Sequence, residues 1–510
     1  MLQLKDALNF KNFIQVLFEG EKITIASPLL KRVDASFEFL KKFAENKIIY
    51  GVNTGFGPMA QYRIKDKDRI ELQYNLIRSH ASGMGKPMEP LYVKSLMLAR
   101  LNTLALGKSG VNTTVITTMQ ELINKDITPL IYEHGGVGAS GDLVQLAHLA
   151  LILIGEGEVF YKGERRNTSE IFKLETIQPI KMELREGLAL INGTSAMTGI
   201  GVVNIFYAER LLNWSIFCSS VINEIVQAYD DHLSEELNSA KLHPGQQEIA
   251  KKMREHLKDS QLTRDRNEHL YSEQHPENEY FKEKVQEYYS LRCVPQILGP
   301  VLDTLQHAKN ILIEEVNSAN DNPIIDAVGK QVYHGGNFHG DYISLEMDKV
   351  KLVVTKLSML AERQLNYLLN NKLNDILPPF VNMGKLGLNF GMQGAQFSAV
   401  STTAENQMLS NSMYIHSIPN NNDNQDIVSM GTNAANTTKT VIDNAFEVVS
   451  VELMTIVQAL YHLNFDQKLS SISKAKIGEI KKFIPAIKED VPLYPKLSEL
   501  KEYILKNEVY

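Results

Sequence analysis

The sequence predicts a mainly α-helical protein: a mixed N-terminal domain over residues 1–195 that carries a glycine-rich loop, then a long central helical bundle over 196–510 with C-terminal helices. Three observations predict it. Apolar residues recur at three- and four-residue steps over long stretches, as one face of a helix requires. Two of those stretches are apolar on more than one face, which places them inside a bundle. Strand signals are short and scattered.

In chain order, the first third is broken by turns and glycines. Its strand candidates are KITIAS (22–27), KIIYGV (47–52) and GEVFYKG (157–163). The apolar run LVQLAHLALILIG (143–155) is too short to span a bilayer and contains Gln145 and His148, so it reads as a buried helix. Helical periodicity then dominates in 196–229, 297–316, 345–369 and 439–463. In the third of these, Leu345, Val350, Val353, Val354, Leu357, Leu360, Leu365 and Leu368 mark one face. The segments 196–229 and 439–463 are the two apolar on several faces. Residues 230–287 are strongly polar and read as a solvated outer segment. No repeat or low-complexity linker interrupts the chain, so the two domains are expected to pack together without a flexible hinge.

Composition excludes several classes. The 510 residues are 44% hydrophobic and 22% charged, an ordinary globular balance. Net charge is −7 with both signs interspersed, so there is no basic footprint for nucleic acid and no polybasic stretch for a membrane surface. The N-terminus MLQLKDALNFKNF places charges inside any apolar region, unlike a signal peptide. Two cysteines, Cys218 and Cys293, fit a reducing cytoplasm.

The glycine-rich loop GGVGASGD (135–142) admits three readings. One is a tight turn that caps a helix. A second is the dinucleotide pattern G-x-G-x-x-G, which needs a preceding strand, a following helix and an acidic residue about 20 positions on. TPLIYEH could supply the strand, and Glu158 lies 17 positions beyond Gly141. That fingerprint belongs to alternating β and α units, however, and this chain is mostly successive helices. LGKSG (106–110) ends like a phosphate loop but has Asn102 where the first glycine belongs. The third reading is self-reaction. Attack of the Gly141 nitrogen on the Ala139 carbonyl carbon closes a five-membered ring. Loss of water from the ring and from Ser140 leaves an exocyclic methylene. Gly141 has no side chain to block its nitrogen, Ser140 supplies the departing hydroxyl, Ala139 is small, and the neighbouring glycines permit the bend. The product is a strong electrophile, which side chains, being nucleophiles, do not otherwise provide.

Seven motifs in order make the wider sequence resemble the aromatic amino-acid ammonia-lyase family: YGVNTGFG (50–57), GGVGASGDLVQLAHLAL (135–151), LINGTSAMTG (190–199), YYSLRCVPQ (288–296), NSANDNP (317–323), GGNFHGD (335–341) and NNDNQDIVSMG (421–431). Within that family the chain is most similar to the tyrosine ammonia-lyases of flavobacteria. The resemblance implies a 4-methylidene-imidazol-5-one (MIO) cofactor made from Ala139, Ser140 and Gly141, with no metal and no nucleotide. It implies a homotetramer whose active sites combine residues of different subunits. It assigns Asn192 to the ring oxygen and Tyr50 to abstraction of the β-proton. An unperturbed tyrosine pKa of about 10 would have to be lowered for that task. Arg292 matches the carboxylate binder, for which a planar, permanently charged guanidinium is suited. Tyr289 and Gln286 match neighbouring catalytic and substrate positions, and Asn322, Phe338 and Gln425 match positions near substrate. His334 and His339 flank a glycine-rich loop but have no evident third ligand, so no metal is expected.

The amino acid is read from Ser79-His80, a pair shared with histidine lyases but compatible with the flavobacterial tyrosine lyases. His80 could bond a phenol or an imidazole. Glu405 matches a carboxylate that could hold an imidazole. The expectation is elimination of ammonia from L-tyrosine to give p-coumarate. Histidine ammonia-lyase activity (L-histidine to urocanate) is the alternative. An aminomutase, an NAD-binding oxidoreductase and a catalytically silent helical scaffold are lesser ones.

Overall fold

The computed structural model describes every residue except 6, 273–278, 280 and 282–283. Helix accounts for 58% of the structure, so the mainly α class holds. The chain forms two compact units. The first comprises Met1–Ile205, Ala308–Asp348 and Ser412–Lys439; the second comprises Phe206–His307, Lys349–Asn411 and Thr440–Tyr510. The four longest helices among the described residues are Ser195–Ile225, Val294–Val316, Asp341–Leu369 and Gly431–Leu463, and each contributes residues to both units.

The expected buried helix is Leu143–Leu153, and each of the four periodic segments lies largely within one of the long helices. The last begins eight residues earlier than its apolar pattern, at Gly431. Its first turns are small and polar, yet Thr432, Ala434, Ala435 and Thr438 are fully buried. Thr438 Oγ1 donates to the Ala434 carbonyl at 2.8 Å, which satisfies the hydroxyl inside the helix and hides the pattern from a hydrophobicity reading.

Two local expectations are corrected. Residues 47–52 form a turn, not a strand. The Asn53 side chain accepts from the Ile49 N–H at 2.8 Å and donates to the Lys47 carbonyl at 2.7 Å, so the backbone folds on itself. Ile49 is buried while Ile48 is 84% exposed, which produced a false strand alternation. The polar stretch 230–287 is also not all solvated. Helix Pro244–Leu257 buries Gln246, Ile249, Ala250, Met253, His256 and Leu257 along one face. Its charged opposite face had masked that stripe. Residues 273–278, 280 and 282–283 of this stretch lie outside the described residues.

The first unit mixes short sheets with helices. Strands Leu2–Leu4 and Ile23–Ile25 pair in parallel; Met84–Pro87 pairs antiparallel with Tyr132–His134; Thr128–Pro129, Glu158–Tyr161 and Glu164–Asn167 form an antiparallel sheet. The strand before the glycine loop therefore lies in an antiparallel pair, not in the parallel unit a dinucleotide fold requires. No helix among the described residues is long and apolar enough to cross a membrane.

Two buried arginines pin the segments that carry the site. Arg185 donates to both Asp321 carboxylate oxygens at 3.0 and 2.9 Å, and to the carbonyls of Ser109 at 2.7 Å and Asn322 at 2.8 Å. Both members of the ion pair are fully buried. Arg100 donates to the carbonyls of Ala189 and, at 2.8 Å, Asn192, and to Asn320 Oδ1 at 3.3 Å. Burial lowers its pKa to about 10, and the guanidinium stays charged at neutral pH. Removing one partner of a buried pair strands the other charge. Arg185→Met is expected to cost about 3–5 kcal/mol in denaturant unfolding, and Arg185→Met with Asp321→Leu to recover most of that loss.

Candidate active site

A cavity of about 490 Å³ in the first unit gathers Tyr50, His80, Ser140, Asn192 and Gln425. Its walls come from helix Arg69–His80, the loop after Tyr50, the glycine loop, the end of helix Glu186–Ile191 and the turn 421–425. Leu72, Leu76 and Leu143 supply an apolar side.

The glycine loop is shaped by a backbone contact. Gly141 makes a parallel bridge with Gly193, and the Asp142 N–H donates to the Gly193 carbonyl at 2.8 Å. Gly141 has φ +72, and a β-carbon there would lie 2.0 Å from the Gly193 oxygen. No other residue fits. Asp142 then anchors the loop. Its Oδ2 accepts from the N–H groups of Ala196 and Met197, both at 2.9 Å, in the first turn of helix Ser195–Ile225. Its Oδ1 accepts from Thr432 Oγ1 at 2.6 Å. A carboxylate is favoured at a helix N-terminus, yet full burial still raises this carboxyl to about 6.

Ser140 is held by two amides. Asn192 Nδ2 donates to its carbonyl oxygen at 2.9 Å, and Gln425 Nε2 donates to its Oγ at 2.9 Å. Asn192 Oδ1 accepts from the Asn322 N–H at 2.9 Å, which fixes which end of the amide faces Ser140. Asn322 Oδ1 accepts in turn from the Gly335 N–H at 2.9 Å.

Tyr50 is half-buried. Its hydroxyl accepts from the Gly57 N–H at 3.0 Å, and its own N–H donates to His334 Nε2 at 3.3 Å. Burial, with the charge on Arg185, lowers the His334 pKa, which suits a neutral acceptor ring. His80 Nδ1 lies 2.9 Å from the Leu76 carbonyl. A carbonyl only accepts, so Nδ1 carries the proton and Nε2 keeps a lone pair. Burial lowers the His80 pKa as well, against the opposing effect of the bond to the Leu76 carbonyl, and so favours the neutral ring.

Other expected residues lie elsewhere. Gln286, Tyr289 and Arg292 line a second cavity of about 560 Å³ within the second unit, together with Arg363 and Tyr367. Arg292 donates to Gln286 Oε1, and its guanidinium carbon lies 4.9 Å from the Tyr289 ring centre. Glu405, on helix Gln393–Leu409, accepts from Asn444 Nδ2 at 3.0 Å and lines neither cavity. Phe338 is half-buried in the first unit and also lines neither. Among the described residues, no group of three or more His, Cys, Asp or Glu is placed to hold a metal ion.

Sequence reasoning weighed His334 only as a metal ligand, not as the acceptor of the Tyr50 N–H, and missed Asp142, Arg100, Asn421 and Asn422. Only the last two left a signal. Asn421, Asn422 and Asp423 have φ of +56, +51 and +59, and a run of asparagines is what tolerates such a left-handed turn.

The sequence matches the family described as aromatic amino acid lyase over residues 8–482. Tyrosine 2,3-aminomutase of Chondromyces crocatus is 38% identical over 503 residues, which are 98% of this chain and 94% of that protein. Histidine ammonia-lyase of Halalkalibacterium halodurans is 37% identical over 485 residues, 95% of this chain and 92% of that protein. The crystal structure of tyrosine aminomutase from Streptomyces globisporus superposes with a TM-score of 0.95 at 33% identity, covering 99% and 97% of the two chains.

The Gly141 contact is directly testable. Gly141→Ala is expected to destabilise the chain by at least about 2 kcal/mol in denaturant unfolding, because the added methyl is both strained and obstructed.

Proposed function

The chain belongs to the aromatic amino acid lyase family, and from that premise we propose that it eliminates ammonia from L-tyrosine to give p-coumarate, using a methylidene-imidazolone formed by Ala139, Ser140 and Gly141. The observation that carries this reading is the pair of amides on Ser140. Asn192 Nδ2 meets the oxygen that such a ring would keep, and Gln425 Nε2 meets the oxygen that would depart as water. The residues therefore fit the group. Once formed, the ring would supply an electrophile for the amine or the aromatic ring of the substrate.

The side chains then have separable tasks. Arg292 pairs with the substrate carboxylate, with Gln286 and Tyr289 beside it. The Tyr50 oxygen, as the phenolate held by the Gly57 N–H, takes the β-proton and becomes the hydroxyl; the C–H electrons form the double bond, and the C–N electrons leave with the nitrogen as ammonia. Asn192 Nδ2 stabilises negative charge that develops on the Ser140 oxygen. The Nε2 lone pair of neutral His80 accepts from a substrate phenol, which phenylalanine lacks. Asn322 acts by orienting Asn192. Phe338 and Glu405 are kept as neighbours of the assembled site.

Arg292 and Ser140 line different cavities of one chain, which supports a site completed by a second copy. Helix Gln393–Leu409 exposes Phe397 and Met408, at 64% and 63%, on one face, a surface suited to burial in the proposed homotetramer. The free cysteines Cys218 and Cys293 fit a reducing cytoplasm.

A second reading is favoured by relatives named tyrosine 2,3-aminomutase: the same residues would return the amine to the β-carbon. Relatives named histidine ammonia-lyase favour urocanate as product instead. Product analysis on purified protein separates the three, and p-coumarate without β-tyrosine or urocanate is the expected result.

The intact parent chain should weigh two waters less than its sequence, and Ser140→Ala should restore one full sequence mass, less one oxygen, with no turnover. His80→Leu should lower kcat/KM for tyrosine by about 10- to 100-fold, the cost of one unmade hydrogen bond. Ser140→Ala and Arg292→Met, each inactive alone, should regain activity when co-assembled; absence of complementation would place both residues in a single-chain site.

A further inference from the structure

The turn Asn420–Gln425 joins the two reactive parts of the first cavity. At one end, Gln425 Nε2 bonds Ser140 Oγ at 2.9 Å. Near the other, the Asn421 amide lies against the Gly57 α-carbon: a β-carbon on Gly57 would sit 2.7 Å from Asn421 Nδ2. The Gly57 N–H bonds the Tyr50 hydroxyl at 3.0 Å. A continuous set of contacts thus runs from Ser140, through the turn, to Tyr50.

The turn holds a backbone that few residues accept. Three successive non-glycine residues are left-handed, with φ of +56, +51 and +59. The Asn420 N–H donates to the Gln425 carbonyl at 3.1 Å, and the Gln425 N–H returns a bond to Asn420 at 3.3 Å. Asparagine and aspartate enter this region most readily among residues with a side chain. Strain of this kind persists where the surroundings over-determine it, and it clusters at functional sites. Here it projects one amide at one glycine. Gly57 is itself left-handed, at φ +51, and any side chain there would displace that amide.

We propose that Asn421 is a positioning residue: its amide, held out by the left-handed turn 421–423, latches the 50–60 loop through Gly57 and keeps the Tyr50 hydroxyl in register with Ser140. The catalytic consequence rests on the reading of Tyr50 as base; the latch itself does not.

Asn421→Gly keeps the left-handed backbone and deletes the amide. In the full-length protein, hydrogen–deuterium exchange over 51–60 should rise by about tenfold, while exchange over 135–145 stays unchanged. Turnover should fall by about tenfold in kcat with KM within about twofold, since positioning of a base is felt in the transition state. Asn421→Ala should behave alike. Tyr50→Phe removes the acceptor of the Gly57 N–H, and should give the same local rise in exchange with no turnover. If Asn421→Gly leaves exchange over 51–60 unaltered, or if only the strained Ala variant raises it, the latch is wrong whatever the activity. If exchange rises and kcat does not move, the positioning role is wrong. Turnover by Tyr50→Phe would remove the base assignment instead, and the exchange data would still decide the latch.

Discussion

The contact between the backbones at Gly141 and Gly193 is the constraint on which the first cavity depends. The Gly193 oxygen occupies the place where any other residue at 141 would put its first side-chain atom. The contact brings the glycine loop against the end of the LINGT segment, so that Asn192 and Ser140 become neighbours although 52 residues separate them. Asp142 then ties the loop to the N-terminus of a 31-residue helix. The loop is bent and held at once, as the proposed ring closure would require.

Around this contact, the orientation of each amide is dictated by a backbone partner. Asn192 gives its oxygen to the Asn322 N–H, so its nitrogen must face Ser140. The backbone of Asn192 is held by Arg100 and that of Asn322 by Arg185, two buried charges whose terminal nitrogens bond carbonyls and one carboxylate while each Nε is left without a partner among the described residues. Buried guanidiniums are costly unless nearly all their donors are used. Two of the carbonyls they bind, those of Asn192 and Asn322, belong to residues whose side chains shape the site, so the cost also defines the site. His334 does the same for Tyr50 by accepting its N–H.

The two cavities divide the chemistry. One holds Ser140, the proposed base and a histidine acceptor; the other holds an arginine, a glutamine and tyrosines. In the proposed reaction an amino acid would use both sets of groups, and the apolar residues exposed on helix Gln393–Leu409 would be buried in the proposed assembly.

Sequence alone determined the helical class, the long helices and the family. Each depends on local periodicity or on contiguous motifs, and both survive in one dimension. Residues whose place depends on distant partners were not legible. Residues 47–52 alternate like a strand, but an Asn53 side chain turns them back. Asp142 looks like an ordinary cap of the next helix, Leu143–Leu153, until the fold delivers the N-terminus of another helix to it. The tautomer of His80 is decided by a carbonyl one helical turn away, and that Arg292 and Ser140 line different cavities is decided by the fold of each unit. Hydrogen-bond direction and long-range proximity are properties of the folded backbone, and no spacing of residue types encodes them directly.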